Sequence, residues 1–194
     1  STLPIPTPTS TQPTTVPTVS PSPCTADNAG RSWYYIPAPS HAVPSVPADV
    51  EALLRRYRAV YVGATDEKVV YLTFDAGYEN GLTSRILDVL SENEVPAAFF
   101  LTGTYIRGNQ SLVRRMATEG HVVANHTFTH PSLPSLAFNT TALRRELEAT
   151  AAAYREAIGE AMARILRPPS GEYSARTLCL SRRLGYVTVF WSFA

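Results

Sequence analysis

The chain has 194 residues, enough for one domain with a packed core and a tail. Its 17 Lys and Arg against 16 Asp and Glu leave a net charge of +1, so no electrostatic footprint for nucleic acid is expected. No apolar run is long enough to span a bilayer, so no transmembrane segment is expected either.

In chain order, residues 1–31 are dominated by Pro, Thr, Ser and Val and predict a disordered linker with polyproline character. Such linkers commonly tether extracellular or wall-associated domains. Cys24 lies in this tail and Cys179 in a predicted helix. Two cysteines do not make a disulfide framework, so they are read as unpaired, with Cys179 a small buried apolar residue. Residues 32–68 predict an extension that packs on the domain. It carries the aromatics Trp33, Tyr34 and Tyr35 and then a helix over 49–57, with Val50, Leu53, Leu54 and Tyr57 at helical spacing.

From residue 69 a βα rhythm sets in. The first strand is expected over 69–74, and Leu82, Ile86, Leu87 and Leu90 then mark a helix face. A second strand covers 97–101. Leu112, Val113 and Met116 mark a helix stopped by Gly120, and a third strand covers 121–125. A long helix starts at the N-cap Asn139, buries Leu143, Leu147, Thr150, Tyr154 and Ile158, and ends at Gly159. Ile165-Leu166 forms a fourth strand, 174–184 a helix closed by Gly185, and 187–193 a fifth strand. This alternation predicts right-handed βαβ units and a parallel sheet buried on both faces. The fifth strand is expected to be left as an apolar edge.

Chemistry in parallel α/β folds collects at the C-terminal ends of the strands. There the sequence places Asp75, then Asn125-His126, then Arg167, then Trp191-Ser192. His126 and His130 are four apart, which on a helical turn puts two imidazoles on one face, able to grip one cation such as zinc. A carboxylate ending an apolar strand needs a partner, and Arg167 can hold Asp75 in a fixed orientation as a general base. His41 and His121 lack such a context and are read as structural or surface residues.

Together these residues resemble the polysaccharide deacetylase family, the carbohydrate esterases with a NodB-type domain. The carriers are Thr73-Phe74-Asp75-Ala76-Gly77, His126-Thr127-Phe128-Thr129-His130 and Arg167-Pro168-Pro169-Ser170-Gly171. Within the family, Tyr78-Glu79-Asn80-Gly81 and Val189-Phe190-Trp191-Ser192 look like the branch that removes the acetyl group of N-acetylmuramic acid to make muramic δ-lactam in spore cortex. The resemblance implies a deformed (β/α) barrel over 69–194 and a divalent metal, zinc in most members. It implies His126 and His130 as metal ligands, Asp75 as base and Arg167 as the residue that orients it. It also assigns Tyr78, Gly171, Tyr173 and Trp191 to substrate contact. The partner would be peptidoglycan or a related N-acetylated glycan. The setting would be a secreted or cell-wall-associated protein of a Gram-positive spore former.

Two departures accompany the match. Most members carry a second Asp after the base as a third metal ligand, and here Ala76 stands in its place. Weaker metal binding through two protein ligands follows, although the δ-lactam branch departs in the same way. No Leu-x-His motif for the family's catalytic acid precedes Ala194, so the barrel is expected to be C-terminally incomplete. The competing expectation is a carbohydrate-binding module of the same fold with impaired catalysis. A generic α/β domain with satisfied histidines ranks last.

Overall fold

The computed structural model describes residues 24–40, 42–63 and 68–194. The linker expected over 1–23 and His41 lie outside the described residues. Five strands form a parallel sheet in the order β2 (Thr73–Ala76), β3 (Ala98–Leu101), β4 (Val122–Asn125), β5 (Ile165–Leu166) and β7 (Val187–Thr188). A separate antiparallel pair joins β1 (Arg31–Ser32) to β6 (Glu172–Tyr173).

The crossovers are α2 (Thr83–Glu92), then α3 (Gly103–Gly108) with α4 (Gln110–Thr118), then α5 (Leu133–Leu136) with α6 (Thr140–Ile158), and finally α7 (Ala175–Arg183). Helix α1 (Ala48–Tyr57) precedes the sheet. Phe99, Phe100 and Leu101 of β3 are all buried, which explains why this strand reads as an unbroken apolar run. The largest core cluster joins β3 and β4 to α2, α3, α4 and α6. Helix α6 starts where Asn139 accepts from Ala142 N at 3.1 Å and ends at Gly159, whose φ of 89° favours glycine.

Four expectations need correction. The first strand begins at Thr73, and Val69, Val70, Tyr71 and Leu72 are exposed. Among the described residues no strand pairs on that side of β2. The fifth strand is not an open edge. Val60 forms a parallel bridge to Val189, with Val60 N donating to Thr188 O at 2.9 Å and Phe190 N to Val60 O at 2.8 Å. Cys24 and Cys179 are not unpaired: they form a disulfide with Cα atoms 6.0 Å apart. Their separation of 155 residues hides the pairing from local sequence patterns. The packed structure also starts before residue 32. Residues 24–31 bury Cys24, pair through β1, and place Asp27 O as acceptor for Arg176 N at 2.9 Å.

The extension then covers one end of the sheet. Trp33 stacks on Phe190 at 4.2 Å, donates from Nε1 to Trp191 O at 2.9 Å, and its backbone N donates to Gly171 O at 2.9 Å. Gly171 has φ of 65°, and a Cβ there would lie 2.8 Å from Trp33 and 2.9 Å from Trp191. Only glycine fits that approach.

Candidate active site

Asp75 is the third residue of β2, the edge strand. Arg167 follows β5 and is buried, stacked 3.9 Å from the centre of the Phe100 ring and 5.6 Å from that of Trp191. Its Nη1 donates to Asp75 Oδ1 at 2.8 Å, while Nε and Nη2 donate to the carbonyls of Val189 and Phe190 at 3.3 and 3.4 Å. Burial pulls the guanidinium pKa down, and the Asp75 charge pushes it back up. One carboxylate oxygen is thus fixed. The other, Oδ2, lies 3.9 Å from His126 Nε2.

His126 follows β4 and is buried. Its Nδ1 lies 2.8 Å from Arg167 O. A carbonyl only accepts, so Nδ1 carries the proton and Nε2 presents its lone pair. Desolvation by burial lowers the His126 pKa, outweighing the pull of Asp75, and so favours the neutral ring. The ring of His130 lies 4.9 Å away, at 70° to it. Two neighbouring imidazoles, one of them held neutral with Nε2 free, form a donor set that fits a divalent cation of intermediate softness such as zinc. Among the described residues no group of three or more His, Cys, Asp or Glu side chains is arranged to hold a metal.

The segment 126–130 is not the helical turn expected from its spacing. Thr127 and His130 have φ of 66° and 63°, in the left-handed region. The N–H groups of 127–130 are accepted by side chains instead of by carbonyls one turn back. Thr127 N donates to Asn125 Oδ1 at 2.8 Å and His130 N to Thr127 Oγ1 at 3.1 Å. Phe128 N and Thr129 N both donate to Glu146 Oε2 at 2.8 Å. Asn125 is itself buried and donates to Leu147 O of α6 at 2.9 Å.

On the base side, a cavity of about 220 Å³ is lined by Asp75, Ala76, Gly77, Tyr78 and Asn80, and Tyr78 is 79 % exposed. Glu79 pins this loop. Its Oε1 accepts from Gly81 N at 2.6 Å and Thr83 N at 3.4 Å, and its Oε2 accepts from Tyr105 OH at 2.7 Å. Hydrogen bonds from Thr83 and Tyr105 lower the Glu79 pKa to about 2, while burial raises that of Tyr105.

The structure therefore brings together Asp75, His126, His130 and Arg167, with Trp191 beside Arg167 and Tyr78 at the cavity. It does not bring Gly171 or Tyr173 to that cavity. Both are buried, Gly171 against Trp33 and Trp191, Tyr173 in the cluster with Trp33 and Phe190. His121 is buried, with Nδ1 accepting from Ala97 N at 3.2 Å, a structural role. Glu146, Asn125, Glu79 and Tyr105 were not singled out as site residues from the sequence. Of this set, Asn125 beside His126 and Glu79 near Asp75 lie close to a motif in the chain, and Tyr105 and Glu146 do not.

The family model for polysaccharide deacetylases matches residues 62–189. The chain belongs to this family. It is 39 % identical over 167 residues to the peptidoglycan-N-acetylmuramic acid deacetylase PdaA of Bacillus subtilis, covering 86 % of this chain and 63 % of that protein. The solved PdaA structure, a family 4 carbohydrate esterase, superposes with a TM-score of 0.82 at 38 % identity, over 86 % of this chain and 70 % of that one. A family 4 esterase from Bacillus anthracis gives 0.77 at 40 % identity, over 86 % and 75 %. A family 4 pseudoenzyme from the same organism gives 0.63 at 27 % identity, over 69 % and 46 %. The chain spans about three fifths of the length of the curated relatives that it matches first. The shared fold is the deformed (β/α) barrel expected from the sequence, represented among the described residues by five parallel strands.

Proposed function

We propose that the full-length protein hydrolyses the N-acetyl group of peptidoglycan amino sugars with the help of a divalent metal, N-acetylmuramic acid being the sugar and muramic δ-lactam the eventual product. The observation that carries this reading is the pinned carboxylate: Asp75 Oδ1 is held by Arg167 and Oδ2 is left beside His126 Nε2. The likeness to PdaA supports the sugar assignment.

His126 and His130 would hold the metal, with zinc as the assigned ion. When bound, it supplies Lewis acidity that polarises the acetamide carbonyl and acidifies water. Asp75 accepts the proton of the attacking water at Oδ2, the oxygen free of Arg167. Arg167 keeps that oxygen aimed by engaging Oδ1 and by bracing itself on the Val189 and Phe190 carbonyls. Hydrolysis breaks the C–N bond and releases acetate and the amine. Tyr78 stands exposed at the cavity beside the base, where an aromatic face can pack against a sugar ring. We further propose that the protein acts outside the cytoplasm. The Cys24–Cys179 disulfide supports this, because such bonds persist in oxidising compartments.

The test is acetate release from N-acetylated peptidoglycan strands by the full-length protein. Turnover that needs added zinc and is abolished in His130→Ala supports the reading. Undiminished activity of His130→Ala would sink the ligand assignment. Full activity of Asp75→Asn would place the base elsewhere. A second reading, glycan binding without turnover, is favoured by Ala76 at a ligand position and by the pseudoenzyme neighbour. Binding without acetate release would decide for it.

A further inference from the structure

The turn that carries both histidines is held on its two sides by different groups. Its carbonyls face the first turn of α3: Gly103 N donates to Thr127 O at 3.0 Å and Thr104 N to Phe128 O at 3.2 Å. These are N–H groups that a helix start leaves without intrahelical partners. The approach is close, since a Cβ on Gly103 would meet the Phe128 ring at 2.0 Å. The opposite side, the N–H groups of Phe128 and Thr129, faces α6. There Glu146 Oε2 accepts both at 2.8 Å, and Oε1 accepts from Thr129 Oγ1 at 3.0 Å.

Glu146 has no competing task. It lies beyond the first turn of α6, which Asn139 caps. Among the described residues its carboxylate enters no ion pair. The two residues between which it acts, Thr127 and His130, hold left-handed φ angles that non-glycine residues keep only when the surroundings over-determine them. Helical carbonyls do not serve the turn's N–H groups in that conformation, and side chains do.

We propose that Glu146 is a positioning residue for the candidate metal centre: its carboxylate fixes the Phe128–Thr129 peptides and thereby sets His130 beside His126. The proposal rests on the metal reading above. Glu146 touches neither metal nor substrate and acts only through the turn.

The test measures zinc affinity by calorimetry on the full-length protein, together with the imidazole NMR signals of the metal-free protein. Outer-sphere partners of ligating residues typically change metal affinity by about 10- to 100-fold. Glu146→Ala is expected to weaken zinc binding about tenfold and to displace the His130 ring signals, leaving those of His121 in place. Glu146→Gln keeps an acceptor oxygen and is expected to stay within about threefold of wild type by the same scale. Should Glu146→Ala fail to fold, Glu146→Asp keeps the charge but shortens the reach, and it is expected to show the same loss. Wild-type affinity with unmoved His130 signals in either shortened variant overturns the proposal, as does a Glu146→Gln protein as impaired as Glu146→Ala. If the wild type takes up no zinc, the metal reading falls, and the His130 signals still decide for or against Glu146.

Discussion

The imidazole half of the candidate site sits on β4, two strands in from the edge, whereas the carboxylate half sits on β2, the edge itself. Around His126 and His130 each N–H from 127 to 130 has a side-chain acceptor, and α3 and α6 close on the turn from both sides. Around Asp75 the neighbours are open: Val70 is 82 % exposed, and Tyr71, Tyr78 and Leu82 are also exposed. What orders the base is a single buried guanidinium from across the sheet and the Glu79–Tyr105 contact that folds the adjoining loop. The ligand half is thus built by its own surroundings, and the base half borrows its order from β5 and α3.

This contrast can be broken most severely at Asp75. Asp75→Ala leaves Arg167 buried without its counter-charge, and a loss of about 3 kcal/mol is expected in urea unfolding. Asp75→Asn keeps an acceptor and is expected to cost about 1 kcal/mol. Both variants remove the charge, so equal losses would show that Arg167 depends on that charge and that a neutral acceptor does not replace it.

A smaller effect is expected at Glu79, where Glu79→Gln should cost about 1 kcal/mol at neutral pH, the net of a charged hydrogen bond weakened by the partial exposure of the carboxylate. The sign with pH follows from a folded-state pKa lowered from 4.5 to about 2. The wild-type advantage is full above pH 4.5 and is lost as pH falls toward 2. Unfolding curves of the two proteins at pH 7 and in that acidic window check this, and a gap that persists at the acid end would remove Glu79 as its cause. The smallest effect on stability is expected at Val70. Val70→Lys should change unfolding by less than about 0.5 kcal/mol, because the side chain is already in water. Light scattering should nevertheless show less self-association, since a lysine on an exposed apolar edge opposes pairing. Unchanged association would mean that the edge is not adhesive.

Much of this was readable in the chain. The apolar period placed the buried stripe of α6 at Leu143, Leu147, Thr150 and Tyr154, and the strand ends placed Asp75, His126 and Arg167 at one rim. What failed to show were contacts between distant segments. Glu146 stands between the buried Leu143 and Leu147 on a helix whose pattern reports only which face is inward. Its reach to Thr129, 17 residues earlier, leaves no local trace. Helix α3 is six residues long, too short for a periodic signal, so Tyr105 and its bond to Glu79 went unseen. The spacing of His126 and His130 was informative, but it suggested a helical turn, because spacing says nothing about side-chain acceptors that stabilise a left-handed backbone. Val60 likewise had no mark of a strand, being a single bridging residue.

The Cys24–Cys179 bond also has a mechanical consequence. Asp75, His126, His130 and Arg167 all lie within the covalent loop that it closes. Tension applied between the Pro-rich tail and the C-terminal residues enters at Cys24 and crosses the sulfur bridge directly into α7. The path bypasses the β1–β6 pair but runs through Val189 and Phe190, whose carbonyls accept from Arg167, and Phe190 stacks on Trp33. A tail pulled taut would therefore load α7 and β7 and reach the centre only at its arginine, leaving the histidine turn slack.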